Sequence, residues 1–331
     1  MTRTTPPRPL DVAAAFPELA PLARSAVRLH PRAGAPTAAD SSIGGPLLWP
    51  AAEPWPVCPE HAGPWHEGLA PEDVGTRRRV LREAWARPRA EGTEFLTEDE
   101  RVLVERGSRP RRIGVGGPLP LLPVLQLHAA DIPGLPRPDG TDLLQMLWCA
   151  FGHDKGHLPY TELRWRSRAE VRAPLAEPPR PAVIGNDSLL PHPCVLHPET
   201  VTEYPAPHEL PEELADRVEQ WALDRGAYYQ YDLAVAPGCK VGGHAPWSFT
   251  DPFPMACAEC GAGMRPLLTL DSTEWDGGSG SWRPVEDATA QGGCLLDGPG
   301  CATGLRFGRG YGLQLYVCER SYGHPLFQNV Q

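Results

Sequence analysis

Residues 43–61 read IGGPLLWPAAEPWPVCPEH, and residues 241–260 read VGGHAPWSFTDPFPMACAEC. Each stretch begins on a Gly-Gly pair, continues through a tryptophan and ends on a short turn with two residues of the kinds that bind metal. Those residues are Cys58 with His61 and Cys257 with Cys260. A pattern that returns in the same order along a chain indicates a repeated structural unit. The sequence therefore predicts two similar halves.

A second recurring stretch is an apolar strand that ends on a cysteine and is followed by an aromatic residue, a glycine and a histidine. It reads LQMLWCAFGH at residues 144–153 and LQLYVCERSYGH at residues 313–324. Zinc prefers four nitrogen or sulfur ligands in a tetrahedron, which a tight turn and a distant strand can supply together. The sequence therefore predicts two sites, one of Cys58, His61, Cys149 and His153 and one of Cys257, Cys260, Cys318 and His324. His157 is an alternative fourth ligand of the first site.

Four protein ligands leave no position for an activated water, so we expect two structural zinc ions (Zn²⁺) per chain. Such an ion replaces core that a loop-rich chain lacks. If one ligand were wrongly assigned, an open zinc with Glu259 or Glu319 as general base would make the protein a hydrolase. The sequence contains no Gly-x-Ser-x-Gly elbow and no His-Glu-x-x-His helix, and we therefore expect no catalytic residues.

Composition excludes several classes of protein. The chain has 331 residues and a formal net charge of −10, which disfavours nucleic acid as a partner because a phosphate backbone attracts Lys and Arg. No stretch reaches the roughly 20 apolar residues that span a bilayer, and the first residues lack the apolar run of a signal peptide. We therefore expect a cytoplasmic protein without membrane contact, whose nine cysteines bind metal or are buried rather than forming disulfides.

The expected fold class is α+β, with an internal duplication. Each half is expected to be a mainly antiparallel sheet with a helix and a zinc-clipped strand and loop. The first half is predicted at 1–207, ending in a Pro-rich linker, and the second at 208–331. Residues 66–113 have no counterpart in the second half and carry helical signals, among them a capping-box spacing that begins at Thr97. They predict an inserted helical arm.

Other polar residues are interpreted as structural. The Gly-Gly pairs match no phosphate-binding loop, and glycine at a strand bend explains them. Three glutamines in apolar strands either satisfy neighbouring backbone or line a groove that reads a peptide main chain; these are Gln126, Gln145 and Gln314. The remaining candidate ligands are expected in loops or buried without metal, and they are His192, Cys194, His197, Cys239, Cys294 and Cys301.

These motifs resemble the YwqG-like family of bacterial proteins, a domain of unknown function. The resemblance is carried by Ser42 to Pro46 with Trp49, by Leu122 to Leu127 and by Leu143 to Gln145. The second half also resembles the zinc-binding repeats of the eukaryotic programmed cell death protein 2 family, in Gly242-Gly243, Trp247, Cys257-x2-Cys260, Leu267-Leu268 and Tyr316-Val317-Cys318. The resemblance implies an α+β fold of two similar halves. It also implies a protein that holds a nascent client, or an immunity protein that neutralises a toxin.

We therefore expect a non-enzymatic, chaperone-like binding module in which two zinc-stabilised halves form a shared cleft for a protein or peptide segment. The segment is expected to add a strand to an exposed sheet edge. The acidic charge of the chain favours a basic client. The alternatives are a zinc-dependent hydrolase and a toxin-neutralising immunity protein.

Overall fold

The computed structural model describes residues 2–89, 92–153, 158–289 and 299–331. Its helices are α1 (Val12–Ala15), α2 (Pro71–Ala86), α3 (Glu98–Arg106) and α4 (Glu212–Leu223). Its strands are β1 (Arg24–Arg28), β2 (Arg32–Ala33), β3 (Ser42–Ile43), β4 (Trp65–Gly68), β5 (Arg111–Gly114), β6 (Leu122–His128), β7 (Leu143–His153), β8 (Leu158–Arg166), β9 (Cys194–Val195), β10 (Glu199–Glu203), β11 (Lys240–Gly242), β12 (Met264–Asp271), β13 (Gly312–Cys318) and β14 (Phe327–Val330).

These strands form three sheets in which neighbouring strands run antiparallel, and the fold is α+β as expected. The first six-stranded sheet has the order β10-β1-β11-β12-β13-β14, and the second has the order β2-β9-β3-β6-β7-β8. The small third sheet is the hairpin β4-β5. One hydrophobic core takes buried side chains from both large sheets, for example Leu125 and Trp148 from the second and Leu268 and Leu315 from the first. Two packed layers around one core are a standard way to bury the apolar faces of sheets.

The two large sheets match strand by strand. Gln126 of β6 lies opposite Gln145 of β7, and Thr269 of β12 lies opposite Gln314 of β13. Both strand pairs also shift register at a proline, between Pro123 and Leu125 in one sheet and after Pro266 in the other. The matched positions are those that the sequence pattern aligns. An origin of the two halves by duplication stays a prediction that this correspondence supports.

The sheets do not divide at the predicted boundary between 207 and 208. Strands β1 and β10, which precede that boundary, join β11 in the first sheet, while β9 pairs with β3 in the second. In the two sheet orders, β1 and β9 occupy equivalent positions, as do β10 and β2. Only the first sheet takes strands from both predicted halves, because every strand of the second sheet precedes residue 207. The same tripeptide, Leu-His-Pro, directly follows β1 and β9, at 29–31 and at 196–198.

Helices α1 and α4 both pack against the first sheet. Val12 of α1 and Val218 of α4 belong to one apolar cluster with Tyr316 of β13. Each predicted half contains a helix as expected, α1 in 1–207 and α4 in 208–331. The inserted arm contains α2, α3 and the hairpin β4-β5, and Thr97 forms the expected capping box with Glu100. Among the described residues, no helix is long and apolar enough to cross a membrane.

Candidate metal centres

The first centre begins in a turn that is fixed by backbone hydrogen bonds to a neighbouring segment. The Cys58 N–H donates to the carbonyl oxygen of Leu119 at 2.8 Å, and the Leu119 N–H donates back to that of His61 at 3.1 Å. Cys149 and His153 come from β7, the strand paired with β6. A spacing of four residues brings both side chains to the turn because β7 shifts register between Trp148 and Gly152.

These four residues form the first cluster: Cys58, His61, Cys149 and His153. Their ligand atoms all lie within 4.8 Å of one another. The Sγ of Cys58 lies 3.2 Å from His61 Nδ1 and 3.6 Å from His153 Nε2. The Sγ of Cys149 lies 3.5 Å from the same His61 nitrogen. The arrangement can hold one metal ion between two sulfurs and two imidazoles.

The second centre is built in the same way from the other half. The Cys257 N–H donates to the carbonyl oxygen of Ala262, and the Gly261 N–H donates to that of Cys257. Gly261 has a φ of +68°, a left-handed conformation that glycine adopts without a steric cost. The turn therefore closes tightly enough to aim Cys257 and Cys260 in one direction. Cys318 ends β13, and His324 follows it in a turn.

The second cluster consists of Cys257, Cys260, Cys318 and His324, whose ligand atoms also lie within 4.8 Å of one another. The sulfurs of Cys260 and Cys318 are 3.5 Å apart, and Cys257 Sγ lies 3.5 Å from His324 Nδ1. The structure thus brings together all eight residues that the sequence predicted, four in each cluster. The rival ligand His157 lies outside the described residues.

These separations suit a tetrahedral zinc ion. With zinc bonds of about 2.3 Å to sulfur and about 2.0 Å to nitrogen, a tetrahedron separates a sulfur from a nitrogen by about 3.6 Å and two sulfurs by about 3.8 Å. The sulfur–nitrogen distances in the two clusters run from 3.2 to 3.6 Å. Thiolate and imidazole are donors that zinc accepts, as copper and iron also do. The clusters fit this ion in both size and chemistry.

The electrostatics of the clusters bear on how a metal would be held. Burial raises the pKa of Cys318, but hydrogen bonds from the backbone N–H groups of Arg320 and Ser321 and from the side chains of Cys260 and His324 together lower it to about 6. Burial raises the pKa of Cys149 in the first cluster, and the nearby Cys58 sulfur raises it further. Burial also lowers the pKa of His61, which keeps its imidazole neutral, as metal binding requires. Binding of a cation at the first cluster must therefore release thiol protons.

Glu60 and His66 escaped the sequence analysis, and Glu259 was considered there only as a base in the hydrolase alternative. Glu60 contacts His153, and Glu259 contacts His324. The sequence did contain a signal for Glu60 and Glu259, because each directly precedes the second candidate ligand of its turn, His61 or Cys260. His66 of β4 lies with its ring 5.2 Å from that of His61, and its Nε2 is buried without a hydrogen-bond partner. Nothing in its sequence context indicated that position.

The other candidate residues have structural roles. Gln126 Nε2 donates to the carbonyl oxygens of Ala38 and Asp40, and Gln145 Nε2 donates to that of Leu48. Gln314 Nε2 donates to the carbonyl oxygen of Pro246. These amides satisfy neighbouring backbone, which is the first of the two roles that the sequence left open.

Three further cysteines, Cys194, Cys239 and Cys301, lie apart from both clusters. Cys194 and Cys239 are fully buried, and among the described residues only the two clusters bring three or more possible ligands together. Cys301 is disulfide-bonded, so the expectation that every cysteine is reduced is wrong at this position. Its loop is rich in glycine and lies next to residues 290–298, outside the described part. Cys294 is one of these residues.

Both clusters border one cleft of about 1170 Å³. Its walls are two continuous runs, residues 158–165 and 322–328, with Glu60 and His153 from the first centre and His324 from the second. The first run is almost the whole of β8, and the second leads into β14. Since β8 and β14 each end a large sheet, the cleft lies between two sheet edges.

Comparison with known proteins gives no assignment. No protein-family model matches the chain, and no curated protein matches it.

Proposed function

We propose that the protein is a non-enzymatic, chaperone-like module that holds an extended segment of a client protein in the cleft between β8 and β14. Each cluster is proposed to bind one structural zinc ion, so that the fold carries two zinc-clipped strand-and-loop units. The YwqG-like motifs support this reading, and we propose membership of that family and a cytoplasmic location on the same grounds. The observation that carries the proposal is the cleft that runs along a sheet edge with a complete four-ligand cluster at each side.

The four ligands of each cluster disfavour the hydrolase alternative. A catalytic zinc keeps three protein ligands and one open position, whereas each cluster here already places four ligand atoms within 4.8 Å of one another. Of the two glutamates considered as bases, Glu259 contacts the histidine of its own cluster, His324. This geometry supports a structural role for both ions.

The lining of the cleft suits a strand rather than a compact small molecule. Side chains alternate between the two faces of a strand, so a pocket on one face would be lined by every second residue. Here eight consecutive residues of β8 line the cleft, as they do when a cavity follows the edge itself. A segment of a client that adds to such an edge gains backbone hydrogen bonds without a specific sequence.

At one end of this edge, two hydrogen-bonding groups of β8 already have partners. Gln328 of β14 donates from its side-chain amide to the carbonyl oxygen of Pro159 at 3.1 Å and accepts from the Thr161 hydroxyl at 3.3 Å. The part of β8 from Glu162 to Arg166 lies beyond these contacts. Among the described strands, none pairs with the outer edge of β8. This part is the proposed docking edge.

The charge of the site favours a basic client. The cleft is lined by two carboxylates, Glu60 and Glu162, and by one guanidinium group, that of Arg164, which pairs with Glu162 at 2.5 Å. The whole chain carries a net charge of −10. The negative potential of such a surface speeds the encounter with a positively charged segment and disfavours an acidic segment.

The proposal is tested with two fluorescent ten-residue peptides that alternate Val and Thr with either Lys or Glu. We expect the lysine peptide to bind and to lose about tenfold in affinity when Glu162→Lys reverses the charge beside the edge. Glu177→Lys, at an exposed position outside the cleft, is the matched control and should leave the affinity unchanged. Fluorescence anisotropy at low salt gives both dissociation constants. Equal binding of the two peptides, or an unaffected Glu162→Lys variant, would contradict the proposal.

A further inference from the structure

A glutamate accompanies the fourth ligand of each cluster, at the same place in both halves. The turn of the first cluster reads Cys58-Pro-Glu60-His61, and that of the second reads Cys257-Ala-Glu259-Cys260. Glu60 Oε2 lies 3.0 Å from His153 Nδ1. Glu259 Oε1 lies 3.6 Å from His324 Nε2. In both centres, therefore, the turn that supplies two ligands also places a carboxylate against the histidine contributed by the other strand.

The two histidines face their clusters with opposite ring nitrogens. His153 turns Nε2 toward Cys58 Sγ, at 3.6 Å, and Nδ1 toward its glutamate. His324 turns Nδ1 toward Cys257 Sγ, at 3.5 Å, and Nε2 toward its glutamate. The carboxylate lies on the side of the ring away from the sulfurs in each case, although the nitrogen that meets it differs.

We propose that Glu60 and Glu259 are positioning residues of the two metal centres. Glu60 Oε2 lies within hydrogen-bond distance of the His153 Nδ1–H, whereas Glu259 Oε1 lies 3.6 Å from His324 Nε2 and attracts its N–H electrostatically. Each carboxylate thus favours a proton on the outer nitrogen and presents the inner nitrogen to the metal. His153 then ligates through Nε2 and His324 through Nδ1. This inference rests on the proposed metal sites and adds the residues that orient the ligands within them.

The exposure of the two carboxylates argues against a role in stability alone. The side chains of Glu60 and Glu259 are 65% and 59% exposed, while those of His153 and His324 are 7% and 21% exposed. Ion pairs at exposed positions contribute little to folding, because water screens them. A carboxylate that also orients a metal ligand typically changes metal affinity by about 10- to 100-fold. Metal affinity is therefore the property that these residues should control.

The first experiment measures zinc affinity by competition with a chromophoric chelator. Glu60→Gln should weaken the first site by about 10-fold or more. Glu259→Gln should weaken the second site less, because 3.6 Å is longer than a hydrogen bond. Glu67→Gln and Glu319→Gln are matched controls, since both residues neighbour a centre in sequence and are exposed. The described structure gives neither of them a contact with a ligand histidine, and both controls should bind zinc as the unchanged protein does.

The second experiment identifies the ligating nitrogens directly. The protein is loaded with ¹¹³Cd, which takes the same thiolate and imidazole ligands, and its histidines are labelled with ¹⁵N. We expect one-bond coupling of cadmium to Nε2 of His153 and to Nδ1 of His324. Coupling to the other nitrogen of either histidine would overturn the assignment for that centre.

The outcomes separate the two proposals. If the protein without substitutions binds neither zinc nor cadmium, the metal sites are refuted, and with them the orienting role of the glutamates. Protein that binds both ions, but whose affinity is the same in Glu60→Gln and Glu259→Gln as in the controls, would refute the orienting role alone. Loss of affinity in the two variants with the expected coupling pattern supports both proposals.

Discussion

At the scale of single residues, a buried ion pair beside the second Gly-Gly constrains the fold outside the metal centres. Lys240 and Glu203 both have fully buried side chains, and the Lys240 Nζ lies 2.6 Å from Glu203 Oε1. Lys240 also donates to the carbonyl oxygen of His244, and the His244 N–H donates to Glu203. Burial lowers the pKa of Lys240, and the Glu203 charge opposes that shift. The pair joins β10 to β11, and with them the two halves of the chain.

We expect Lys240→Met to lower the free energy of unfolding by about 3–5 kcal/mol, because it leaves the Glu203 carboxylate buried without its cation. Urea denaturation followed by circular dichroism measures the change. Arg79→Met is the matched control, since Arg79 pairs with Glu83 on the surface with more than half of each side chain exposed, and it should cost less than about 1 kcal/mol. A loss for Lys240→Met as small as that of the control would show that the pair is not a constraint on the fold.

Gly243 shows why the Gly-Gly pair is required at this position. Its φ is +73°, and a Cβ atom there would lie 2.2 Å from Glu203 Oε2. Gly44 in the first half has a φ of +66°, and its Cβ would lie 2.5 Å from the carbonyl oxygen of His192. The sequence interpretation of these glycines as sites of strand bending and close packing is confirmed. The groups that crowd them come from distant parts of the chain, which no local pattern reveals.

At the scale of elements, the sequence was informative wherever the signal is local. The apolar runs at β6, β7, β12 and β13 and the capping box of α3 are properties of neighbouring residues, and the structure has these elements. The pairing of β1 with β11 was not predicted, because it joins segments more than 200 residues apart. The five residues of β1 carry no local signal that specifies the partner of the strand.

The placement of β1 and β10 in the first sheet predicts that two fragments of the chain behave differently. All strands of the second sheet precede residue 207, whereas the first sheet takes β1 and β10 from that part and the rest from 208–331. We therefore expect the fragment 208–331 to lack a cooperative thermal transition by circular dichroism, because it loses two strands and the apolar side chains of α1. Addition of the fragment 1–207 should restore the transition. A cooperative transition of 208–331 alone would show that the predicted boundary is a domain boundary.

At the scale of the whole molecule, the metal centres and the cleft differ in how far the sequence could predict them. The eight ligands were predictable because two halves in register made the same spacing appear twice. Glu60 and Glu259 were present in the same pattern, but their contacts depend on how a turn and a strand meet in space. The cleft arises only when the edges of two sheets approach, and it has no sequence signature of its own.

The chain is rich in turns, with 41 prolines and 34 glycines, and each cluster joins a loop to a strand next to the edge strand of a large sheet, β7 or β13. A structural ion at such a place supplies binding energy that the loop cannot gain by burying apolar surface. The two clusters lie on the two sides of the cleft. On this account, the metal ions hold the walls of the cleft in place, and the sheets themselves supply the edges.

The most direct test of this account is the zinc content of protein purified without added metal, measured by inductively coupled plasma mass spectrometry. The account predicts about two zinc ions per chain, falling to about one in Cys318→Ser, which removes a ligand from the second cluster alone. Protein that is folded yet contains no zinc, or a Cys318→Ser variant with undiminished zinc, would contradict it.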